Sequence, residues 1–384
     1  MSHGLVSKPS LRHVLSIALL LGACGAVSGC VQLKTSDAPL SDRLRFYGNG
    51  RFRGEATIDQ TNGKDRYRMR LRARTGVKTE MLPGLKGEAR ISTTSGDANN
   101  PHWDFGSDGD GEGFNGAKIE IDRLFLTWDG ADSFEVRVGK MPYSFAQPPV
   151  YSELTWDQDV SPAGIAAKWI SSSEGKTRGD VRVAGIIAAE NNKTGNTSGD
   201  PIAVGIQGNL VVDAGSNARV QISSAYTNWS NLSSGAVGAN QGNTDPTGEF
   251  AIWDSFVSLD HRGGPAGKQQ AFVQFINNVD DNTGEDSGFA IGAKFGKAGK
   301  AGDTNWFLTY YDLDANATFS PVAQDDTAIA GTGAGVGMKG FIFGLQHYLT
   351  DHMAWKLWGL TSDVDDPGGN DPYRVRFDLD FKVL

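Results

Sequence analysis

The sequence predicts an all-β protein, a transmembrane antiparallel up-and-down β-barrel of about 16 strands. Three observations predict it. Polar and apolar residues alternate along most of the chain after residue 42, no stretch there has a helical period, and glycine- and aspartate-rich clusters separate the alternating segments. Segments of about ten alternating residues are typical of outer-membrane barrels, in which closure of the sheet pairs every backbone N–H and C=O inside lipid.

The composition agrees with many strands joined by turns. The chain has 384 residues, of which 50 are glycine and 39% are hydrophobic, too few for a bundle of membrane helices. The formal net charge is −9. A net acidic chain binds nucleic acid poorly, so we expect no nucleic-acid partner.

Residues 1–30 are predicted to be a signal peptide. Lys8 and Arg12 precede the apolar run "VLSIALLLGA", which is too short for a bilayer span of about 20 residues. The runs "LGAC" and "VSGC" end in Cys24 and Cys30 and resemble the lipobox of bacterial lipoproteins. We therefore predict lipidation at Cys30, or else at Cys24, with an ordinary secretory signal as the alternative. Residues 31–41 are predicted to be a periplasmic linker and residues 42–384 the barrel.

The first predicted hairpin carries an unusual run of arginines. In "DRYRMRLRARTGV" (65–77) every second residue from 66 to 74 is arginine, and the preceding strand has the same alternation. The last strand must neighbour the first if the ring closes, and a third strand begins at Leu85. The predicted arginine face comprises Arg43, Arg45, Arg51, Arg53, Arg66, Arg68, Arg70, Arg72, Arg74, Arg90, Arg374 and Arg376.

Electrostatics restricts where this face can lie. Like charges about 7 Å apart repel by roughly 0.6 kcal/mol in water and by ~2.4 kcal/mol at an effective dielectric of 20. Facing lipid at the midplane, each charge would cost about 2–4 kcal/mol. We therefore predict that the arginines line an aqueous interior, close to carboxylates or mobile anions. The alternative is the solvated outer face of a soluble sheet.

Residues 121–169 resemble a known family. The segments "IDRLFLTWDG", "EVRVGKMPYSF" and "LTWDQDVSPAGIAAKW" are similar to a strand, a strand exit and a pre-strand stretch of the putative porin family of Gram-negative outer membranes. The resemblance implies a transmembrane barrel that acts as a diffusion channel. Two features depart from the family: the chain ends in Leu384 rather than Phe, and most members lack an acylated N-terminus.

In 16-stranded porins the third long loop commonly folds into the barrel, which implies an inward-folded loop at residues 142–162. Glu153, Asp157 and Asp159 in this segment are predicted to form a constriction and to act as counter-charges to the arginines. The alternative is an external loop with ordinary surface acids. The other long segments, 95–116, 191–201, 231–248 and 314–335, are polar and glycine-rich, and we predict that they form one wet rim.

Metal binding and catalysis have little support. Asp108, Asp110 and Glu112 alternate in "DGDGEG", but the rest of an EF-hand loop is missing, so an acidic glycine-rich loop is the favoured interpretation. The histidines have no metal-ligand spacing and no "GxSxG" elbow occurs. We predict no metal, no cofactor and no enzymatic activity.

The predicted function is therefore passive diffusion of small hydrophilic solutes through an arginine-lined pore in the outer membrane, with a mild anion preference. The expected partners are outer-membrane lipid and small hydrophilic or anionic solutes. A homotrimer is compatible with 16 strands, although no residue demands it. The alternative is a lipid-anchored periplasmic or surface β-protein that acts as a binding or scaffold module.

Overall fold

The structure is a computed structural model. It describes residues 39, 43–58, 65–96, 99–105, 117–171, 175–189, 200–232, 243–244, 250–263, 267–281, 283–326, 336–364 and 372–383. The predicted signal peptide, both cysteines, most of the linker and the acidic run at 108–112 lie outside the described residues.

Strands account for almost all of the regular structure in this part of the chain. They are β1 (Leu44–Ile58), β2 (Arg66–Leu82), β3 (Leu85–Thr94), β4 (Trp103–Asp104), β5 (Lys118–Ala131), β6 (Phe134–Lys140), β7 (Ala163–Ile170), β8 (Thr177–Ile187), β9 (Ile202–Ala214), β10 (Ala218–Ser230), β11 (Phe250–Arg262), β12 (Lys268–Asn278), β13 (Ser287–Gly296), β14 (Thr304–Leu313), β15 (Met338–Thr350), β16 (Met353–Thr361), β17 (Asp363–Val364) and β18 (Tyr373–Val383). A 3-10 turn covers Ser320–Val322.

Sixteen of these strands form a closed antiparallel ring. Each long strand pairs with the next along the chain, and β4 and β17 are two-residue additions beside β2 and β15. β18 pairs with β16 on one side and with β1 on the other, which closes the sheet. The predicted all-β, 16-stranded barrel is confirmed.

The two faces of the wall follow the alternation in the sequence. Phe46, Tyr67, Met69 and Phe377 are more than half exposed on the outer side, whereas Arg53 and its neighbours on the other face are buried. No second protein layer covers the outer apolar side chains among the described residues, so this face suits acyl chains. Where the chain is described, it contains no helix long and apolar enough to cross a bilayer.

The inner wall is asymmetric. From β10 to β16 it carries apolar side chains that form one buried cluster with residues of two long connections, 141–162 and 314–326: Val150, Leu154, Trp156, Trp229, Phe272, Phe307, Phe319 and Trp358 belong to it. Arginines and acids occupy the opposite sector, on β1, β2, β3 and β18. The interior is therefore part packed core and part charged wall.

The prediction of a wet rim was wrong for parts of two segments. In the segment 314–335, Ala317 and Phe319 are almost completely buried, because the apolar inner wall gives them a surface to pack against. In the segment 95–116, Asn99 and His102 are buried beside the charged wall. The segments 191–201 and 231–248 lie mostly outside the described residues.

Candidate functional site

The register of the first, second and last strands places the arginines opposite one another and opposite acids. Across β1 and β2, Arg51 faces Arg72 and Arg53 faces Arg70. Across β1 and β18, the same two β1 arginines face Asp380 and Asp378. Each row across the three strands therefore holds two guanidinium groups and one carboxylate.

Ion pairs follow this register. Arg51 Nε lies 2.6 Å from an oxygen of Asp380, and Arg53 Nε lies 2.7 Å from an oxygen of Asp378. One row further, Glu55 on β1 receives the Arg376 Nε at 2.6 Å and also pairs with Arg68. The wall thus neutralises much of its own charge.

Other arginines pair with acids from neighbouring segments. Arg70 Nε is 2.6 Å from Asp104, and Arg90 Nε is 2.5 Å from Asp122 on β5. Arg66, more than half exposed, lies 3.9 Å from Asp104.

Arg43 and Arg45 lie elsewhere. They line a cavity of about 660 Å³ at the end of the ring where the short turns lie, together with Lys86, Glu88 and Glu135. Arg43 Nη1 donates to the backbone carbonyl of Met81 at 2.6 Å. These two arginines are therefore separated from the acids of loop 141–162. The sequence analysis had predicted those acids to be counter-charges of the whole arginine face.

Loop 141–162 lies inside the ring and contacts opposite sides of it. On one side, Thr309 of β14 donates its hydroxyl to the Tyr151 carbonyl at 2.8 Å and the Ser152 hydroxyl donates to Gln274 of β12 at 3.0 Å. On the other side, Arg74 Nη1 lies 2.9 Å from Asp159. The loop starts after Gly139, whose φ of +122° and closeness to the Leu124 carbonyl leave no room for a Cβ.

Only one of the three acids predicted as counter-charges pairs with arginine. Asp159 accepts from Arg74 and lies 3.5 Å from Arg72. Glu153 and Asp157 form no ion pair within 4 Å with the described residues, because carboxylates on the wall already occupy the neighbouring arginines. Glu153 instead has a left-handed backbone with φ of 52°, which is uncommon for a residue other than glycine.

The wall carboxylates were visible in the sequence but were assigned no role there. Asp378 and Asp380 alternate on the same face as Arg374 and Arg376, and Glu55 shares a face with Arg53. The same alternation that predicted the arginine face therefore also contained its counter-charges.

A second connection, 314–326, holds the first in place. The Tyr151 hydroxyl donates to Asp326 at 2.5 Å, and the Gln324 N–H donates to the Glu153 carbonyl at 3.1 Å. Asp326 also pairs with Arg376 of the charged wall. The two connections and the wall are thus linked through one carboxylate, a role that no feature of the sequence indicated.

Burial and neighbouring charge set the protonation of the loop acids. Burial, followed by Asp159 and Asp326, raises the pKa of Glu153 well above its ordinary value. Burial and then Glu153 likewise raise the pKa of Asp157. Burial would raise the pKa of Asp159 too, but Arg74 and Arg72 bring it below the ordinary value. The arginines therefore favour the ionised form of Asp159, whereas burial shifts the other two acids toward the protonated form.

A cavity of about 490 Å³ remains between the charged wall and the two connections. Its lining includes Arg72, His102, Glu153, Lys294 and Lys356. The described residues contain no group of three or more His, Cys, Asp or Glu side chains that could hold a metal ion. Most of the side chains that line the cavity are polar or charged.

Solved porin structures share this architecture. The high-pH structure of Pseudomonas putida OprB matches with a TM-score of 0.58 and 9% identity, covering 90% of this chain and 95% of that one. A triple mutant of Rh. blastica porin matches with a TM-score of 0.50 and 13% identity, covering 88% of this chain and 100% of that one. At such low identity, these likenesses show the fold.

Curated proteins give no match to this chain. A family model described as "Putative porin" matches residues 43–249, which is more than half of the sequence. The match extends on both sides of the 121–169 segment in which the sequence itself resembles that family. The chain belongs to the Putative porin family.

Proposed function

We propose that this porin lets small hydrophilic solutes diffuse passively across the outer membrane, with a weak preference for anions. The observation that carries the proposal is the closed ring, with apolar side chains exposed outside and a cavity lined by charged side chains inside. Porins are passive channels rather than enzymes, in agreement with the expectation that the chain has no catalytic activity.

The preference should be weak because much of the arginine charge is compensated. Arg51, Arg53 and Arg376 each have a carboxylate within 2.7 Å. The electrostatic field that acts on a passing anion therefore comes mainly from arginine–carboxylate pairs and less from unpaired cations. The uncompensated part comes from Arg72, which reaches Asp159 only at 3.5 Å, and from the two lysines of the cavity.

Outer-membrane lipid is the proposed surrounding of the apolar outer face, and a homotrimer remains a proposal without a residue that demands it. The scaffold alternative gains no support, since a soluble scaffold would expose Phe46 and Tyr67 to water. The lipidation proposed for Cys30 or Cys24 can be checked by mass spectrometry of the mature N-terminus.

Single-channel recording in planar bilayers tests the proposal. We expect stable conductance and, in a potassium chloride gradient, a reversal potential displaced toward that of chloride. Arg72→Glu should move the reversal potential toward potassium, because it replaces a cavity arginine whose Asp159 partner lies 3.5 Å away by an anion. The matched control is Arg262→Glu, whose side chain is 63% exposed. Absence of conductance by correctly folded protein would refute the channel, and equal shifts in both variants would refute the role of the wall.

A further inference from the structure

Two lysines in the cavity lack carboxylate partners. Lys294 on β13 and Lys356 on β16 line the cavity, and neither lies within 4 Å of a carboxylate among the described residues. Almost every other described cation of the charged wall has such a partner. Buried charges in proteins are normally paired, so these two ammonium groups require an explanation.

Lys356 shows how the pairing is prevented. Its Cα stands opposite that of Asp378 in the β16–β18 register. The Asp378 carboxylate, however, accepts from Arg53 Nε at 2.7 Å and from the Trp358 indole N–H at 2.9 Å. The ammonium of Lys356 lies instead 3.1 Å from the centroid of the Trp358 ring. A cation over an aromatic face keeps N–H groups free for another acceptor.

Two other donors at the same cavity are unsatisfied. Arg72 Nε and His102 Nε2 are buried and have no hydrogen-bond partner in the described part of the chain, and both residues line the cavity. Unsatisfied buried polar atoms are uncommon in native proteins and destabilise the fold. An acceptor-rich occupant of the cavity would offer these groups a partner.

The charge balance of the lining favours an anion. The arginines of the lining have carboxylates within 4 Å, so the cations left for an occupant are Lys294 and Lys356. Burial, with Asp159 and Asp326, also raises the pKa of Glu153, so that this acid repels an anion less than an ionised carboxylate would. The volume of about 490 Å³ is in the usual range for a small-molecule site.

We infer that this cavity is a saturable binding site for a small oxyanion, a phosphate or carboxylate group, held by Lys356, Lys294, Arg72 and His102. The inference rests on the proposed function, because the cavity lies on the proposed solute path. It goes further because it assigns a solute class and a binding step during passage. The flux of a solute that binds in the pore reaches a maximum as its concentration rises.

Isothermal titration calorimetry of the detergent-purified mature chain tests the binding without requiring conduction. Inorganic phosphate and succinate are titrated separately, at constant ionic strength set with chloride. We expect one saturable site for at least one of them, and the two arms identify whether phosphate or carboxylate chemistry is preferred. Lys356→Met keeps an apolar stem over Trp358 and should weaken binding by about tenfold to a hundredfold. Lys294→Met gives a second variant if the first does not fold.

The matched control is Lys300→Met, which removes the same charge from an exposed turn residue and should leave the affinity unchanged. Absence of saturable heat with both anions, or an equal loss in Lys300→Met and Lys356→Met, would overturn the site. A protein that conducts without saturable binding would retain the channel and lose this inference. A protein that binds an anion without conducting would retain this inference and lose the channel.

Discussion

Glu55 is the most informative single position for testing the charged wall. Its side chain is buried and accepts from Arg376 Nε at 2.6 Å and from Arg68 Nε at 2.8 Å. Arg70 and Arg374 lie 3.8 and 3.9 Å from it. Glu55→Gln keeps the volume and a hydrogen-bond acceptor but removes the only charge that these four guanidinium groups share. The change therefore isolates the electrostatic contribution.

The expected loss can be estimated from the geometry. At an effective dielectric of about 20, unit charges 2.6 Å apart attract by roughly 6 kcal/mol before desolvation is subtracted. Removing one partner of a buried ion pair costs about 3–5 kcal/mol in measured cases. Because glutamine still accepts a hydrogen bond, we expect Glu55→Gln to lower the free energy of unfolding by about 3 kcal/mol.

Equilibrium urea unfolding in detergent, followed by tryptophan fluorescence, measures this loss. The midpoint should fall while the slope with urea stays constant, since the surface exposed on unfolding is unchanged. Glu80→Gln is the matched control, because Glu80 is an exposed β2 acid with no ion pair within 4 Å among the described residues. A loss below about 1 kcal/mol, the usual value for an exposed pair, would refute the compensation of the wall through Glu55.

Three further predictions concern the two connections inside the ring, 141–162 and 314–326. Asp159→Asn removes the carboxylate near Arg72 and should raise the anion-to-cation permeability ratio about sevenfold, since a unit charge about 7 Å away changes the energies of an anion and a cation by roughly 0.6 kcal/mol each, in opposite directions, in water. Reversal potentials measure the ratio, with the exposed Glu285→Gln as control, and an unchanged ratio contradicts the prediction. Burial and then Asp326 raise the pKa of Asp325 to about 6, so the folded protein binds a proton there that the unfolded chain binds only near pH 4. The contribution of Asp325 to stability therefore rises as the pH falls from 7 to 5. The anion preference should rise over the same pH range and displace the reversal potential. Asp325→Asn should abolish this pH-dependent displacement. Tyr151→Phe removes the hydroxyl that donates to Asp326 and should increase open-channel current noise while costing about 1–3 kcal/mol in urea unfolding; a quiet channel of unchanged stability would show that this bond does not hold the loop.

The fold could be predicted from the sequence because a barrel wall repeats with a period of two. The third strand, for example, begins at Leu85 as the alternation predicted. The pairing of β1 with β18 also follows, since a closed ring must pair its last strand with its first. These features depend on local alternation and closure alone.

The interior could be predicted only in part. Asp326 and His102 lie in segments without periodicity, and their contacts depend on how the connections fold inside the ring. Phe272 and Phe307 lie on inward faces that pack in the buried cluster, and nothing in a single strand distinguishes a wet inner face from one that packs against a loop. The predicted roles of Glu153 and Asp157 depended on distances across the lumen, which the sequence does not contain.

The seam has a consequence for how the protein is made. Arg53 and Asp378 are separated by 325 positions along the chain, yet they belong to the same charged wall. Neither the pore lining nor the sealed cylinder can exist until the final strand docks, so assembly of the conducting path and completion of the fold are one late event. A chain without the eleven residues of β18 would therefore present an open edge in the membrane together with a row of unneutralised guanidinium groups.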